Sequence, residues 1–270
     1  MITGAAGGLG AATSAHLVDR GWRVFAADIR PPAATGGVVP IEMDVTDDAS
    51  VASGMAEVGK QSTGLGGLVN FAGVLRVGGM LDTEPAVLDE ILQINVIGSH
   101  RVSRAAFDLV RAGKGRIVLI SSEVGVQSAA PFNGLYAVSK HAVEAYGDAL
   151  RRELMFLGVP VIKLRPGPFQ TSMVASIVPL YEKAAATSKY HRVLLEAMVP
   201  ILPREQAKAH GPDIVARHVE RALTARRWRP AYLILPDRGR MMMDKLPTRA
   251  ADLALKVGLK AVSRRAAHRS

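Results

Sequence analysis

The sequence predicts a single α/β domain in which a doubly wound parallel β-sheet carries helices on both faces. Short runs rich in Val, Ile and Leu alternate with helical patterns along most of the 270 residues. Most of these runs are apolar without alternation, which is typical of strands buried on both faces of a parallel sheet. The regular exchange of strand and helix indicates successive βαβ units.

Six strands and five helices are predicted in chain order. The strands cover residues 22–28, 38–44, 66–73, 115–122, 159–167 and 231–236, and the helices cover residues 10–20, 49–61, 88–112, 136–157 and 212–225. Residues 172–211 interrupt this alternation and contain three prolines. A long insertion at the carboxyl edge of a parallel sheet indicates a lid over a binding site.

The chain opens with MITGAAGGLG, a glycine-rich turn typical of Rossmann-like nucleotide-binding folds. Gly4, Gly8 and Gly10 would let the backbone turn sharply and let a pyrophosphate approach it. The helix that follows would offer its N-terminal N–H groups to the phosphate. A plain connecting turn is the alternative. A nucleotide-binding glycine turn normally follows a buried strand, so we expect the first strand of the sheet to lie upstream of Met1.

Asp28 ends the next predicted strand, 18 residues after Gly10. A carboxylate at this place can accept hydrogen bonds from the ribose hydroxyls and repels a 2′-phosphate. The sequence therefore favours NAD over NADP as the cofactor, although Arg30 nearby weakens that argument. The alternative role of Asp28 is that of an ordinary turn residue at a strand end.

Tyr136 and Lys140 lie four residues apart on one face of a predicted helix. A lysine ammonium beside a phenol favours the phenolate, so the pair can act as a proton donor and acceptor. Ser122 ends a strand 14 residues earlier, where its hydroxyl could bond a substrate oxygen. Each feature alone has a simpler explanation: a solvated helix face for the pair, and a loop contact for the serine.

In this order and spacing, these motifs resemble the short-chain dehydrogenase/reductase family over nearly the whole chain. The segments that carry the resemblance are TGAAGGLG at 3–10, MDV at 43–45, NFAG at 70–73, QINV at 93–96, ISSEVG at 120–125, YAVSK at 136–140 and RPGPFQT at 165–171. The resemblance implies hydride transfer between a secondary alcohol or ketone and a nicotinamide cofactor, without a metal. Phe71 departs from the family's usual NNAG, so a contact to adenosine there would use the backbone.

The resemblance also implies a role for each matching residue. Tyr136 would be the general acid/base, Lys140 would hold the nicotinamide ribose and lower the pKa of Tyr136, and Ser122 would steady the reacting oxygen. Asn95 would kink its helix and hold a water that links Lys140 to solvent. The implied cofactor-binding set is Gly4, Gly8, Leu9, Gly10, Asp28, Asp44, Val45, Asn70, Ala72, Gly73, Tyr136, Lys140, Pro166, Gly167, Phe169 and Thr171.

The lid segment is largely apolar, which indicates a hydrophobic alcohol or ketone as substrate. Its apolar side chains could equally pack on the core or on a second subunit. They are Met173, Val174, Ile177, Val178, Leu180, Tyr181, Val193, Leu194, Leu195, Met198, Val199, Ile201 and Leu202. The arrangement is similar to the steroid- and retinol-handling branch of the family. The long helices at 88–112 and 136–157 would suit a homodimer or homotetramer.

The excess of positive over negative charge is confined to the C-terminal part of the chain. Residues 221–270 contain 13 Lys and Arg against 3 Asp, which accounts for the whole net charge of +10. The stretch 247–270 reads as an amphipathic basic helix that could rest on an anionic membrane, dock on a partner or fray. Because the body is neutral and lacks interleaved aromatic residues, we do not expect nucleic-acid binding.

We therefore predict an NAD-dependent oxidoreductase that acts on a lipophilic secondary alcohol or ketone. Residues 1–240 would form the cofactor-binding and catalytic domain, and residues 241–270 a basic extension. The alternatives are an NADPH-dependent ketoreductase for acyl-type ketones and a catalytically silent cofactor-sensing protein. The chain has no cysteine, which is compatible with the cytoplasmic location that we expect, with membrane association through the extension as a further expectation.

Overall fold

The computed structural model describes residues 1–207 and 209–267, and within them seven parallel strands form one sheet. The strands are β1 (Ile2–Thr3), β2 (Val24–Asp28), β3 (Val38–Glu42), β4 (Gly67–Asn70), β5 (Arg116–Ile120), β6 (Val161–Pro166) and β7 (Ala231–Ile234). Their order across the sheet is β3-β2-β1-β4-β5-β6-β7. This confirms the predicted doubly wound sheet, whose strand order changes direction beside β1.

β1 is short but fully integrated into the sheet. Ile2 pairs with Ala26 of β2 and with Val69 of β4, and Thr3 pairs with the residues that follow these two. The Met1 carbonyl accepts a hydrogen bond of 2.9 Å from the Val69 amide. The two residues that precede the glycine turn therefore place it at the centre of the sheet's carboxyl edge.

Helices cover both faces of the sheet, as predicted. Those of the main body are α1 (Gly8–Asp19), α2 (Asp48–Gln61), α3 (Pro85–Leu92), α4 (Gly98–Ala112), α5 (Gly134–Leu154) and α10 (Asp213–Thr224). One apolar core lies between the sheet and α2, α4 and α5, and a second lies between the sheet and α1 and α10. The strands read as continuous apolar runs because both of their faces are covered.

The predicted helix at 88–112 is interrupted. A π-helical turn, Gln93–Ile97, separates α3 from α4. Hydrophobic periodicity does not detect this turn, because a single wide turn shifts the apolar stripe without ending the helix. The turn contains Asn95, the residue for which the family resemblance implied a kink.

The lid segment, for which no helix was predicted, is largely helical. It contains α6 (Ser172–Ala175), α7 (Ile177–Thr187), α8 (Arg192–Met198) and α9 (Leu202–Gln206), and its Lys208 lies outside the described residues. A third apolar cluster, with Phe132, Tyr181 and Leu195 at its centre, holds the lid helices together. After β7 come α11 (Arg238–Met243) and α12 (Thr248–Ala267), and α12 packs against α8. Residues 268–270 of the predicted extension lie outside the described residues.

Candidate active site

The glycine turn needs glycine at two positions in particular. Gly4 has a φ of +64°, and a Cβ there would lie 2.7 Å from the backbone nitrogen of Ala72. A Cβ on Gly10 would lie 2.2 Å from the Gly4 carbonyl oxygen. Only glycine permits this left-handed conformation and these close approaches. The turn therefore brings the N-terminus of α1 and its free N–H groups to the edge of a cavity.

Asp28 and Asp44 flank the turn at the ends of neighbouring strands. The Asp28 carboxylate accepts hydrogen bonds from the Ala6 amide at 3.0 Å and from the Arg30 amide at 3.2 Å. Asp44 accepts from the amide and the hydroxyl of Thr46 at 2.8 and 2.7 Å. Asp28 thus ties the glycine turn to the end of β2, Asp44 stiffens its own loop, and both residues line the cavity.

Ser122, Tyr136 and Lys140 meet at the centre of the cavity wall. Ser122 follows β5, and the other two lie on the first turns of α5. Lys140 is only 6% exposed, its Nζ donates to the Ile120 carbonyl at 2.9 Å, and Nζ lies 5.5 Å from the centre of the Tyr136 ring. The sequence spacing thus places a hydroxyl, a phenol and an ammonium side by side.

Burial controls the protonation of this group. It raises the pKa of Tyr136 to about 12; a hydrogen bond with Ser122 opposes the rise and the Glu123 charge adds to it. Burial also lowers the pKa of Lys140 to about 8, against the influence of Glu144. The pKa of Tyr136 therefore lies above its ordinary value in this structure, and a lowering of it by Lys140 stays a prediction. Desolvation of the phenolate dominates, and the ammonium is directed to the Ile120 carbonyl.

Two predicted site residues lie behind the cavity wall. The Asn95 amide group bonds both backbone groups of Val74, with Oδ1 accepting at 2.8 Å and Nδ2 donating at 3.0 Å, and Nδ2 also donates to Ser139 at 2.9 Å. The Asn70 side chain donates to Ser103 at 3.2 Å, on the side of α4. Asn95 therefore fixes the loop after β4 to α5, and Asn70 binds the core instead of facing the cofactor region.

A single cavity of about 920 Å³ joins the glycine turn to the lid. The other predicted cofactor residues line it, including Leu9, Val45, Ala72, Gly73, Pro166, Gly167, Phe169 and Thr171. Of the predicted lid residues, Met173, Val174, Ile177, Leu180, Tyr181 and Leu202 line its far end. Leu195 instead packs within the lid core, so the segment both encloses the cavity and supports itself.

Several polar residues in the cavity wall were not predicted from the sequence. Glu123 and Arg240 line the lid side, and Asn133 lies just before α5. Asn133 Oδ1 and Arg240 Nη2 are buried without a hydrogen-bond partner among the described residues. The ISSEVG motif does contain Glu123, but nothing in the sequence connects it with Arg240, which comes after the last strand.

The cavity has the features that a dinucleotide requires. Glycines hold the turn open, since a Cβ on Gly8 would lie 3.0 Å from the Thr171 side chain. The first residues of α1 line the cavity, where a helix N-terminus suits a pyrophosphate, and Asp28 lies at the end of β2, where a carboxylate suits a ribose. Within residues 1–207 and 209–267, no cluster of three His, Asp or Glu side chains could hold a metal ion.

Comparisons with known proteins agree with this geometry. The family model for short chain dehydrogenase matches residues 1–181. The chain is 36% identical over 183 residues to 17-beta-hydroxysteroid dehydrogenase type 6 of Rattus norvegicus, covering 64% of this chain and 57% of that protein. It is 31% identical to retinol dehydrogenase 7 of Mus musculus, covering 86% of this chain and 78% of that protein. The chain thus spans less than two thirds of the rat protein.

A solved structure supports the fold. The short-chain dehydrogenase from Streptomyces avermitilis aligns with a TM-score of 0.75 and 23% identity, over 97% of this chain and 96% of that chain.

Proposed function

Because the chain belongs to the short-chain dehydrogenase family, we propose that it is an NAD-dependent oxidoreductase acting on a lipophilic substrate. It would interconvert a secondary alcohol and a ketone on a steroid-, retinoid- or lipid-like molecule. The observation that carries this proposal is that one cavity joins three parts: the glycine turn with Asp28, the Ser122–Tyr136–Lys140 group, and an apolar lid.

The proposed chemistry assigns a task to each residue of this group. Ser122 hydrogen-bonds the substrate oxygen beside the Tyr136 hydroxyl, and Tyr136 exchanges a proton with that oxygen. With a pKa of about 12, Tyr136 is protonated near neutral pH, so it is a ready proton donor to a ketone. Lys140 would bind the ribose next to the nicotinamide. When bound, the nicotinamide ring supplies or accepts the hydride.

In the oxidation direction Tyr136 must first lose its own proton, so it begins as a buried phenolate and becomes a neutral phenol when it takes the proton of the alcohol. The Lys140 ammonium, with a pKa of about 8, is the nearby cation that stabilises this charge. Asn95 supports the arrangement from behind, because its side chain ties Val74 in the cavity wall to Ser139 on the helix that carries Tyr136 and Lys140.

The apolar end of the cavity supports the substrate class. Pockets that bury small lipophilic ligands are lined mostly by apolar side chains, with a few polar groups to fix orientation. The relatives carry the names of a hydroxysteroid dehydrogenase and a retinol dehydrogenase. A lipophilic alcohol is therefore a better proposal than a sugar or a short hydroxy acid.

Cofactor choice is tested by Asp28→Asn. This change removes the charge that repels a 2′-phosphate but keeps an oxygen to accept from the Ala6 amide. We expect the wild-type protein to prefer NAD, and the ratio of kcat/KM for NADP to that for NAD to rise about tenfold or more in the variant. The measurement is cofactor reduction with a panel of lipophilic secondary alcohols.

Glu42→Gln is the matched control. Glu42 is exposed and pairs in register with Asp28 on the adjacent strand. The Glu42→Gln substitution therefore removes a nearby charge that lies outside the cavity. An NADP preference in the wild-type protein would favour the ketoreductase alternative. Tight cofactor binding without turnover of any alcohol or ketone would favour a cofactor-sensing protein.

We also propose that α12 makes peripheral contact with an anionic membrane. No helix in the described part of the chain is long and apolar enough to cross a bilayer. Leu255 and Leu259 are half-buried, while Leu253 and Val257 are 61% and 60% exposed beside Lys256 and other basic residues. An apolar stripe flanked by basic side chains suits the surface of an anionic membrane.

Sedimentation with lipid vesicles tests this contact. We expect binding to vesicles rich in phosphatidylglycerol, little binding to phosphatidylcholine vesicles, and release as salt rises. Lys256→Glu with Lys260→Glu should abolish sedimentation, whereas Lys60→Glu, on the exposed surface of α2, should not. Equal sedimentation with both vesicle types would contradict the proposal.

The homodimer or homotetramer and the cytoplasmic location stay predictions from the sequence.

A further inference from the structure

Glu123 is a buried carboxylate at the lid side of the cavity. It directly follows Ser122 and is only 6% exposed. Its Oε2 accepts hydrogen bonds from the Asp237 amide at 2.6 Å and from Gln127 Nε2 at 3.4 Å. Its Oε1 has no hydrogen-bond partner in the ranges 1–207 and 209–267. Because the carboxylate lines the cavity, Oε1 is the oxygen that remains for a ligand.

Arg240 is the second charged residue of this cavity wall. It lies on α11, where its amide donates to Asp237 Oδ1 at 3.0 Å. The same helix is tied to the loop after Glu123, since the Ser128 amide donates to Asp244 Oδ1 at 2.9 Å. These hydrogen bonds fix the backbone segments that carry Glu123 and Arg240 relative to each other. The Arg240 Nη2 is buried and, among the described residues, has no hydrogen-bond partner.

Glu123 and Arg240 are both bound to Asp237 without forming a direct ion pair. The Asp237 amide donates to Glu123 Oε2 at 2.6 Å, and the Arg240 amide donates to Asp237 Oδ1 at 3.0 Å. The described residues show no salt bridge between the two side chains. Burial raises the pKa of Glu123, and the Arg240 charge opposes that rise. A buried N–H donor without a partner is costly, and so is a buried carboxylate with unused acceptor sites. A ligand group between them would have to accept from Arg240 and donate to Glu123.

We propose that Glu123 and Arg240 bind a second hydroxyl group of the substrate. A hydroxyl both accepts and donates, so it satisfies both side chains at once. A carboxylate there would face the charge of Glu123, and an ammonium would face that of Arg240. This inference rests on the proposed function and narrows it: the preferred substrates are lipophilic diols or hydroxyketones rather than simple alcohols.

The position of Glu123 also limits where the second hydroxyl lies. Glu123 is adjacent in sequence to Ser122, and both residues line the same cavity as Tyr136. The second hydroxyl would therefore be within a few carbons of the reacting carbon, and the apolar remainder of the substrate would extend under the lid.

The test compares decan-2-ol with decanediols whose second hydroxyl occupies each of the next four carbons in turn. We expect the wild-type protein to prefer at least one diol by about tenfold or more in kcat/KM, because a site built to bind a hydroxyl rejects analogues without it. Arg240→Met and Glu123→Gln should each bring the ratio of diol to alcohol close to one. Arg238→Met, an exposed residue on the same helix, should keep the wild-type ratio.

Calorimetric binding of the same compounds in the presence of cofactor makes the result independent of turnover. If decan-2-ol is oxidised but every diol has the same kcat/KM, this inference fails and the proposed function stands. If nothing is oxidised but a diol binds more tightly than decan-2-ol, the proposed function fails and the diol site stands. Equal binding of diol and alcohol, or an unchanged ratio in a folded Arg240→Met, overturns the inference.

Discussion

Replacing Tyr136 with phenylalanine should nearly abolish turnover while leaving cofactor binding intact. The substitution removes only the hydroxyl, and the ring keeps its place against Lys140. Positioned general acid/base groups contribute roughly 10²- to 10⁴-fold to the rate, so we expect kcat to fall by at least about that factor. The measurement is steady-state reduction of cofactor by a lipophilic secondary alcohol, with cofactor affinity followed by fluorescence titration.

Tyr146→Phe is the matched control for this prediction. Tyr146 lies on α5 ten residues further along, half-buried, with its ring against His100. Among the described residues, those that line the cavity do not include Tyr146. It loses the same atom from the same helix, so its kcat should stay near that of the wild-type protein. A Tyr136→Phe variant with normal kcat would remove Tyr136 from the chemistry.

The sheet could be predicted from the sequence because its signal is local. Each of the six predicted runs is mostly apolar and matches one of the strands β2 to β7 within a few residues, whereas the first strand was expected upstream of Met1 and is observed as the two-residue β1. The π-helical turn and the lid helices were missed for different reasons. The π-helical turn widens a continuous helical pattern by one turn and does not end it. The lid helices are short and are stabilised by an apolar cluster of their own, not by a strong local pattern.

The candidate site was predictable only where motifs report it. Tyr136, Lys140, Ser122 and the glycines have fixed spacings along the chain, and the structure brings them to one cavity. The direction of the Asn70 side chain and the proximity of Glu123 and Arg240 depend on how distant elements pack. The pKa of Tyr136 depends on burial, which spacing does not encode.

The second large effect concerns a buried ionic network beneath the candidate site. Glu144 on α5 binds Lys163 at 2.8 Å and forms a two-pronged pair with Arg165, with contacts of 2.8 and 2.7 Å. Lys163 is almost fully buried and also contacts Asp148 at 2.9 Å. Burial opposes ionisation of Glu144, but the hydrogen bonds from Arg165 and Lys163 outweigh it and lower its pKa. The network fixes α5 to the end of β6.

Glu144→Gln should therefore destabilise the fold strongly. It leaves the buried Lys163 ammonium with a weaker set of partners, and breaking a buried ion pair costs about 3 kcal/mol or more. We expect the free energy of unfolding at neutral pH, measured by urea denaturation, to fall by about that amount. Glu57→Gln, which removes an exposed contact to Lys60 on the surface of α2, should change the stability little.

The pH dependence of the same variant separates charge from packing. Because the pKa of Glu144 is lower in the folded than in the unfolded state, its contribution is complete above the unfolded value of 4.5. It is lost as pH falls through the lower folded value. The difference between wild type and variant should then shrink in acid. A difference that persists there would indicate that packing, not charge, carries the effect.

A double variant, Glu144→Gln with Lys163→Met, measures the coupling between these two residues. The double variant removes both the Glu144 carboxylate and the Lys163 ammonium, so neither charge is left buried opposite a neutral residue. The methionine side chain replaces the apolar part of the lysine. The double variant should therefore lose less stability than the sum of the two single losses, because the two residues are in direct contact at 2.8 Å. Additive losses would mean that Glu144 and Lys163 act independently and that Arg165 alone holds the carboxylate.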